Sequence, residues 1–328
     1  METSGSQGFA SRLRLFLAGF LMGAADIVPG VSGGTMAFIL GIYGELVEAI
    51  RSCTAPKAIR LIVTLRWREA FRTLPWAFLL SLGLGIVSAI VALSSPLKWM
   101  LENRLPWILA FFFGLVAASI ICVFRRVGSW KASRFVALLA GGAAGWIVVG
   151  LSQVQSPPDA LWYLALCGAI AISAMILPGI SGSFILLLMG RYDYVLNAVH
   201  QLRRGSEIPQ QLAVLGVFAL GVVIGIAVFI RLLAWLLRRY HDVTIALLIG
   251  FMMGSLRKVW PWKIADRIEN ANLMPSAGRD FWIALALALA GFLLVLAIEF
   301  VARRRESSAG GKKSGAEKPP KEKKPKQK

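Results

Sequence analysis

The sequence contains few charged residues, few cysteines and few histidines. Only 16% of its 328 residues are charged, whereas soluble domains carry roughly 25%, which argues against a soluble globular protein. The three cysteines, Cys53, Cys122 and Cys167, have neither metal-ligand nor redox spacing. The two histidines, His200 and His241, are far apart in the chain. We therefore expect no metal site and no cofactor.

The sequence also lacks the side-chain groupings of an enzyme or of a nucleic-acid-binding protein. No histidine is paired with a nucleophile in a motif, and no acidic cluster suits a catalytic metal. The formal net charge is +19, but the basic residues are spread over separate segments rather than one folded face. We therefore expect neither catalysis nor nucleic-acid binding, and we assign most of this charge to cytoplasmic loops of a membrane protein.

Apolar residues are abundant and make up 57% of the chain, with a mean hydropathy of +0.68. A helix needs about 20 apolar residues to cross a bilayer. Stretches of this kind predict six crossings, at residues 76–97, 105–124, 135–154, 212–230, 243–256 and 281–298. The fifth stretch is short and ends just before Arg257 and Lys258. Each half of the chain contains one further apolar segment that is interrupted by proline and glycine.

The two interrupted segments are copies of each other. Residues 19–43, GFLMGAADIVPGVSGGTMAFILGIY, and residues 168–192, GAIAISAMILPGISGSFILLLMGRY, are identical at nine of 25 positions at an offset of 149. Both contain Pro-Gly-x-Ser-Gly, followed eight residues later by Gly-x-Tyr. Because proline and glycine disrupt helices, each copy is predicted to form two half-helices joined by a break. Duplicated units with broken helices are common in transporters.

The distribution of lysine and arginine predicts how these segments lie in the membrane. If both are re-entrant hairpins and the N-terminus is cytoplasmic, 26 Lys/Arg lie inside and 10 outside. Full crossings would instead place the six cations of residues 51–73 outside, against the positive-inside rule. Hairpins leave three crossings in each half, an odd number, so the two halves must be inverted.

The expected fold is therefore an all-α integral membrane protein with two inverted repeats, each a re-entrant broken-helix hairpin plus three transmembrane helices. The repeats span residues 12–154 and 155–302. A short N-terminal segment, residues 1–11, precedes them, and a basic tail rich in lysine and proline, residues 303–328, follows them. We expect both termini in the cytoplasm, with the tail disordered and close to anionic membrane lipids.

Each break is followed by the start of a new half-helix, which offers backbone N–H groups and a partial positive charge. Two such starts that converge from opposite faces would form an anion site at the midplane. The predicted phosphate-binding residues are those at the two helix starts and two cations near the outer surface: Ser32, Gly33, Gly34, Thr35, Ser181, Gly182, Ser183, Arg257 and Lys258. The hydroxyl groups could instead only cap their own helices.

Asp26 is the candidate for ion coupling. It lies three residues before Pro29, near the end of the first half-helix, where the helix dipole disfavours a carboxylate. An acid inside a membrane is costly and usually functional, and the equivalent residue in the second copy is Met175. Asp26 could couple transport to a proton or sodium gradient, or it could pair structurally with a hydroxyl or backbone donor.

Three motifs in this sequence resemble a bacterial and archaeal membrane family formerly called domain of unknown function 368, the polyprenyl-phosphate transporters. They are GAADIVPGVSGGT at residues 23–35, LPGISGSFILLLMG at 177–190 and GSLRKVWPWK at 254–263. The resemblance covers about residues 12–300. It implies a protein of the bacterial cytoplasmic membrane that moves undecaprenyl phosphate inward, so that this carrier lipid is reused in cell-envelope synthesis.

The residues alone leave three functions open. A lipid-phosphate translocase is favoured, a transporter or channel for a small inorganic anion is second, and a membrane enzyme acting on a lipid phosphate is third. The expected partners are a polyprenyl phosphate lipid, a proton or sodium ion and anionic membrane lipids. A groove open to lipid would favour the first interpretation, and a closed aqueous pore would favour the second.

Overall fold

The computed structural model describes residues 3–28, 31–64, 66, 69, 73–125, 127–205, 207–263 and 278–314, with the backbone alone for residues 3–10, 59, 62, 63 and 301–314. Within these residues the fold is all-helical, with a short 3-10 segment at Leu256–Val259. The helices are α1 Thr3–Ile27, α2 Gly33–Ile39, α3 Tyr43–Cys53, α4 Pro56–Val63, α5 Trp76–Asn103, α6 Leu105–Phe124, α7 Ala132–Gly150, α8 Leu161–Ile176, α9 Gly182–Leu188, α10 Tyr192–Arg204, α11 Ile208–Arg239, α12 His241–Ser255 and α13 Arg279–Ser314.

Five helices of the described residues are long and apolar enough to cross a membrane: α5, α6, α7, α11 and the part of α13 from Arg279 to Phe300. The sequence predicted six crossings. The sixth, residues 243–256, corresponds to α12, which has 15 residues and would be about 22 Å long. This is shorter than the roughly 30 Å hydrocarbon core, so α12 falls short of the five spans in length.

The helix bounds also differ from the sequence prediction at both ends of the chain. Helix α1 begins at Thr3 rather than after residue 11, and α13 continues to Ser314, beyond residue 302 where a disordered tail was expected. Alanine, arginine and glutamate have high helix propensity, and they dominate residues 302–306. The rest of the basic tail, residues 315–328, lies outside the described residues, as do Pro29 and Gly30 of the first break.

Equivalent helices of the two halves pack in equivalent ways. Helix α1 lies along α5, and its counterpart α8 lies along α11. The third helix of each half packs on the other half, so that α7 lies along α12 and α13 lies along α6. The glycines that the sequence comparison had matched sit at these two contacts: a Cβ built on Gly114 would lie 1.9 Å from the Ala288 carbonyl oxygen, and one on Gly250 would lie 1.9 Å from that of Leu138. Both positions therefore require glycine for close helix packing.

Each half contains a helix hairpin with its break at the tip. In the second half, α9 runs back along α8, because Gly182 packs against Ala171 near the tip while the Tyr163 hydroxyl donates to the Met189 carbonyl at the other end, 2.9 Å away. In the first half, α2 similarly packs on α1. Each hairpin ends at the glycine of Gly-x-Tyr, where Gly41 and Gly190 have φ values of 71° and 68°, a conformation that favours glycine.

Candidate functional site

The tips of the two hairpins meet and are joined by side-chain hydrogen bonds. The Ser32 hydroxyl donates to the Met175 carbonyl oxygen at 3.3 Å. The Thr35 hydroxyl accepts from the backbone N–H of Gly179 at 2.8 Å. Both side chains are almost completely buried. The two Pro-Gly-x-Ser-Gly elements, 149 residues apart in sequence, therefore form one contiguous structure.

Tyr43, from the Gly-x-Tyr element of the first copy, strengthens this junction. Its hydroxyl donates to the Ile176 carbonyl oxygen at 3.1 Å, where the last carbonyls of α8 have no partner within their own helix. The Tyr43 side chain is buried and its ring packs edge-on against Phe38. Sequence analysis missed this role, although the conspicuous repetition of Gly-x-Tyr was the available signal.

At the first tip, the start of α2 is already occupied by an acidic side chain. The backbone N–H of Gly33 donates to Asp26 Oδ1 at 2.7 Å. Ser32 occupies the N-cap position as predicted, and its hydroxyl accepts from the N–H of Gly34 at 3.1 Å. Asp26 therefore lies at the end of one helix but at the start of the next, whose partial positive charge favours a carboxylate.

At the second tip, the start of α9 is arranged differently. Ser181 is also at an N-cap position, but its hydroxyl is 2.6 Å from the Ser183 hydroxyl and does not cap the helix. Among the described residues, none accepts a hydrogen bond from the backbone N–H of Gly182 or Ser183. Ser183 is exposed and Gly182 is partly exposed. The second tip therefore presents donors that the first tip has already satisfied internally.

The two predicted cations lie beside the second tip. They belong to the 3-10 segment that follows α12, outside the five spans. Lys258 Nζ lies 4.1 Å from the centroid of the Phe184 ring, which is in the first turn of α9, and the Arg257 guanidinium lies 4.7 Å from the Trp146 ring. Aromatic faces stabilise cations in this geometry, so both charges are held close to the hairpin.

A third cation, Lys263, joins this group and was not predicted. Its ammonium group donates to the Lys258 carbonyl oxygen at 2.6 Å. Burial, and secondarily the charge of Lys263, lower the pKa of Lys258 to about 8, and burial and Arg257 lower the pKa of Lys263 to about 8. Lowered lysine pKa values in a partly buried cluster mark a place where an added anion would be stabilised. The motif Trp-Pro-Trp-Lys was the available sequence signal.

The second tip is fixed to this cation-bearing segment by a close backbone contact. Gly179, with φ of +105°, lies so near the end of α12 that a Cβ there would be 2.4 Å from Ser255 Oγ. Only glycine adopts this conformation readily. The Pro-Gly turn therefore positions α9 directly against the residues that precede Arg257.

A cavity of about 250 Å³ lies at the base of the first hairpin. It is lined by Gly41 and Tyr43 from the hairpin, by Val127 after α6, and by His241 and Asp242 at the start of α12. Asp242 also forms an ion pair with Arg134 at 2.6 Å. Because α12 begins at this cavity and ends beside the cations, the cavity and the cation cluster lie at opposite ends of the same helix.

The structure thus brings most of the predicted site residues together, in two groups. Asp26, Ser32, Gly33, Gly34 and Thr35 form the first tip, which is closed by its own hydrogen bonds. The second group is Ser181, Gly182 and Ser183 with the nearby cations Arg257 and Lys258. The sequence had treated the two copies as equivalent, and the structure shows that they differ.

Comparison with known proteins agrees with this architecture. A family described as VCA0040-like, undecaprenyl phosphate translocase-like, matches residues 22–274. A protein of Vibrio cholerae named polyprenyl-phosphate transporter is 40% identical over 310 residues, covering 89% of this chain and 97% of that protein. A Staphylococcus aureus protein of the same name is 29% identical over 306 residues, covering 88% and 97%. No solved structure matches the chain significantly.

An all-helical fold with several apolar helices, together with these relatives, defines a multi-pass membrane transporter and not an enzyme. The chain belongs to the undecaprenyl phosphate translocase-like family.

Proposed function

We propose that this protein carries polyprenyl phosphate, specifically undecaprenyl phosphate, inward across the bacterial cytoplasmic membrane, so that the carrier lipid is reused in cell-envelope synthesis. The names of its relatives support this substrate. The single observation that carries the proposal is the junction of the two hairpin tips, with Lys258 and Arg257 beside the second tip. A phosphate headgroup fits such a cluster of cations, hydroxyls and backbone N–H groups.

The hairpins are proposed to be re-entrant, entering from opposite faces of the membrane in two inverted repeats. The matching helix contacts of the two halves support a duplication, and the return of α9 along α8 supports a hairpin rather than a crossing. The excess of lysine and arginine in residues 51–73 supports a cytoplasmic N-terminus and C-terminus. Broken helices that meet near the midplane are a recurrent site design in transporters.

In this mechanism the headgroup first contacts the second tip. Ser181, Gly182 and Ser183 supply hydroxyl and backbone donors, and Lys258 and Arg257 supply charge. Each charge-assisted hydrogen bond in such a site contributes roughly 1.5–3 kcal/mol. The isoprenoid chain remains in the bilayer, where apolar side chains such as Leu166 and Ile170 of α8 are exposed, so only the headgroup needs a polar route.

Asp26 is proposed to couple this movement to an ion gradient. While ionised, it holds the Gly33 N–H and keeps the start of α2, with Ser32, Gly34 and Thr35, unavailable to a second anion. A proton or a sodium ion that neutralises the carboxylate would weaken this hold, and the phosphate could then approach the first tip. The ion and the anionic headgroup would thus be bound together, which links the gradient to transport.

Reconstitution in liposomes tests this function. Fluorescent polyprenyl phosphate is placed in one leaflet, and its appearance in the other is followed with and without a proton or sodium gradient. We expect protein-dependent movement of the lipid, stimulated by one of the gradients, without release of inorganic phosphate. Faster movement of free phosphate than of the lipid would favour the small-anion transporter, and phosphate released from the lipid would favour an enzyme.

A further inference from the structure

Arg191 is a buried arginine at the base of the second hairpin, outside the site described above. It is only 6% exposed. Its Nη2 atom donates to Asp159 Oδ1 at 2.6 Å and to the carbonyl oxygens of Pro157 and Pro158. Its Nε atom is buried and has no hydrogen-bond partner among the described residues. One edge of the guanidinium is therefore held, and one donor is left over.

The acceptors of Arg191 all belong to residues 151–160, which connect α7 to α8 and which we call the outer strap. The strap is also attached by a hydrogen bond from the backbone N–H of Val154 to the Leu188 carbonyl oxygen, 2.8 Å long. These contacts lay the strap along α9, from its start near the cations to its end at Gly190. The strap therefore covers the side of the hairpin that leads to Lys258.

The contact between the strap and Arg191 is strong in geometry but incomplete in chemistry. A buried donor without a partner is costly, more so on a charged group, and Nε is such a donor. Asp159 is 94% exposed, and an ion pair with one partner in solvent contributes little to stability. The closed strap thus leaves Arg191 satisfied only in part and is held by a replaceable carboxylate.

A phosphate monoester meets the requirement that Asp159 leaves unmet. Its three terminal oxygens can accept from Nε and Nη2 together, the bidentate pairing for which a guanidinium is suited. The Tyr194 ring holds the guanidinium in place from 4.9 Å. The next cation along the strap is Arg257, since a Cβ on Gly150, just before the strap, would lie 3.0 Å from Arg257 Nη1.

We propose that Arg191 is the first binding site for the phosphate headgroup of the lipid, and that the outer strap is a lid over it. The headgroup displaces the Asp159 carboxylate, the strap lifts from α9, and Nε gains the acceptor that it lacks in the closed state. The headgroup then passes to Arg257 and Lys258. This inference rests on the proposed function, in which a lipid phosphate enters from the side of the second hairpin.

Two conservative variants separate this role from a structural tie. Proteoliposomes carrying wild-type protein, Asp159→Asn or Arg191→Lys are assayed for the lipid concentration that gives half-maximal movement (KM) and for the maximal rate. Asp159→Asn removes the competing charge and should lower KM. Arg191→Lys keeps the charge but loses the two-pronged contact and should raise KM about tenfold, the loss of one charge-assisted hydrogen bond. Neither should change the maximal rate.

Arg203→Gln serves as the matched control, because Arg203 is exposed at the end of α10 and should leave both quantities unchanged. If Asp159→Asn raises KM or lowers the maximal rate as Arg191→Lys does, the ion pair is only a tie and the proposal is wrong. An unchanged KM in both variants, or in Asp159→Asn alone should Arg191→Lys not fold, also overturns it. Absence of lipid movement by the wild type would instead refute the proposed function.

Discussion

The carboxylate of Asp26, in the last turn of α1, accepts a hydrogen bond of 2.7 Å from the backbone N–H of Gly33, the first residue of α2. The chain thus supplies its own anion at the helix start where an external anion was expected. The second hairpin has Met175 at the equivalent position, and the start of α9 carries no such internal anion. This difference makes one tip a candidate for ion coupling and the other a candidate for headgroup binding.

Asp26→Asn should leave the protein folded while weakening transport or its dependence on an ion gradient. An amide oxygen still accepts from the Gly33 N–H, so the local contact is retained, but the group no longer carries a charge that an ion can neutralise. Movement of the lipid is measured in liposomes with and without proton and sodium gradients. Asp193→Asn, an exposed acid in α10, is the control. Wild-type rates and gradient dependence in Asp26→Asn would remove Asp26 from the mechanism.

Bulk at the glycines of the tips should be more harmful than loss of one hydroxyl. A Cβ on Gly33 would lie 2.6 Å from Asp26 Oδ2, so Gly33→Val should abolish transport. Ser32→Ala loses the cap of α2, which costs roughly 0.5–2 kcal/mol, and should only weaken transport. Gly44→Val is the control because no atom lies within 4 Å of a Cβ there. The reverse order of severity would contradict a role of the breaks in close approach.

Binding of the lipid phosphate should weaken as the pH rises from 7 to 9. Burial lowers the pKa of Lys258 to about 8, so its positive charge is lost across this interval, whereas a phosphomonoester completes its second ionisation near pH 6. Lys258→Arg stays charged and should remove most of this dependence. The measurement is the KM for lipid movement at each pH.

The sign of the stability change separates this effect from unfolding. A lysine whose folded pKa lies below its unfolded value of about 10.4 destabilises the fold while protonated, so this group makes the fold more stable as the pH rises above about 8. Weaker binding at pH 9 would therefore not arise from unfolding through Lys258. A KM that stays flat between pH 7 and 9 in the wild type would show that Lys258 does not contact the headgroup.

The orientation in the membrane is testable with single cysteines in a variant lacking Cys53, Cys122 and Cys167. Thr64→Cys and Ser156→Cys place thiols at exposed positions, one in the predicted cytoplasmic loop and one in the outer strap. A membrane-impermeant maleimide applied to intact cells should label only the second. Labelling at position 64 from outside would show that the first hairpin crosses the membrane, and the inverted-repeat arrangement would fail.

Much of the helix arrangement was predictable because it follows from local chemistry. The starts of α2 and α9 fall where Pro-Gly-x-Ser-Gly predicted them, since proline, glycine and a capping serine act within a few residues of themselves. The duplication was visible in the matched glycines Gly114 and Gly250, which both proved to lie at close helix contacts. Sequence patterns of this kind depend on neighbouring residues rather than on distant ones.

The differences between the two tips could not be predicted, because they depend on contacts between distant residues. The bonds of Ser32 to Met175 and of Tyr43 to Ile176 join residues more than a hundred positions apart, and nothing in either copy alone specifies them. The position of Lys258 over the Phe184 ring likewise depends on how α12 packs against the second hairpin. Composition could identify the cations but not the helix start that they accompany.

The most direct test of the account is an experimental structure of the protein in a lipid environment with bound polyprenyl phosphate. We predict phosphate density between the two hairpin tips, within hydrogen-bonding distance, roughly 2.7–3.2 Å, of the Ser181 or Ser183 hydroxyl and close to Lys258 Nζ. A headgroup bound in the cavity lined by His241 and Asp242, or elsewhere far from both tips, would mean that the broken helices serve packing rather than the ligand.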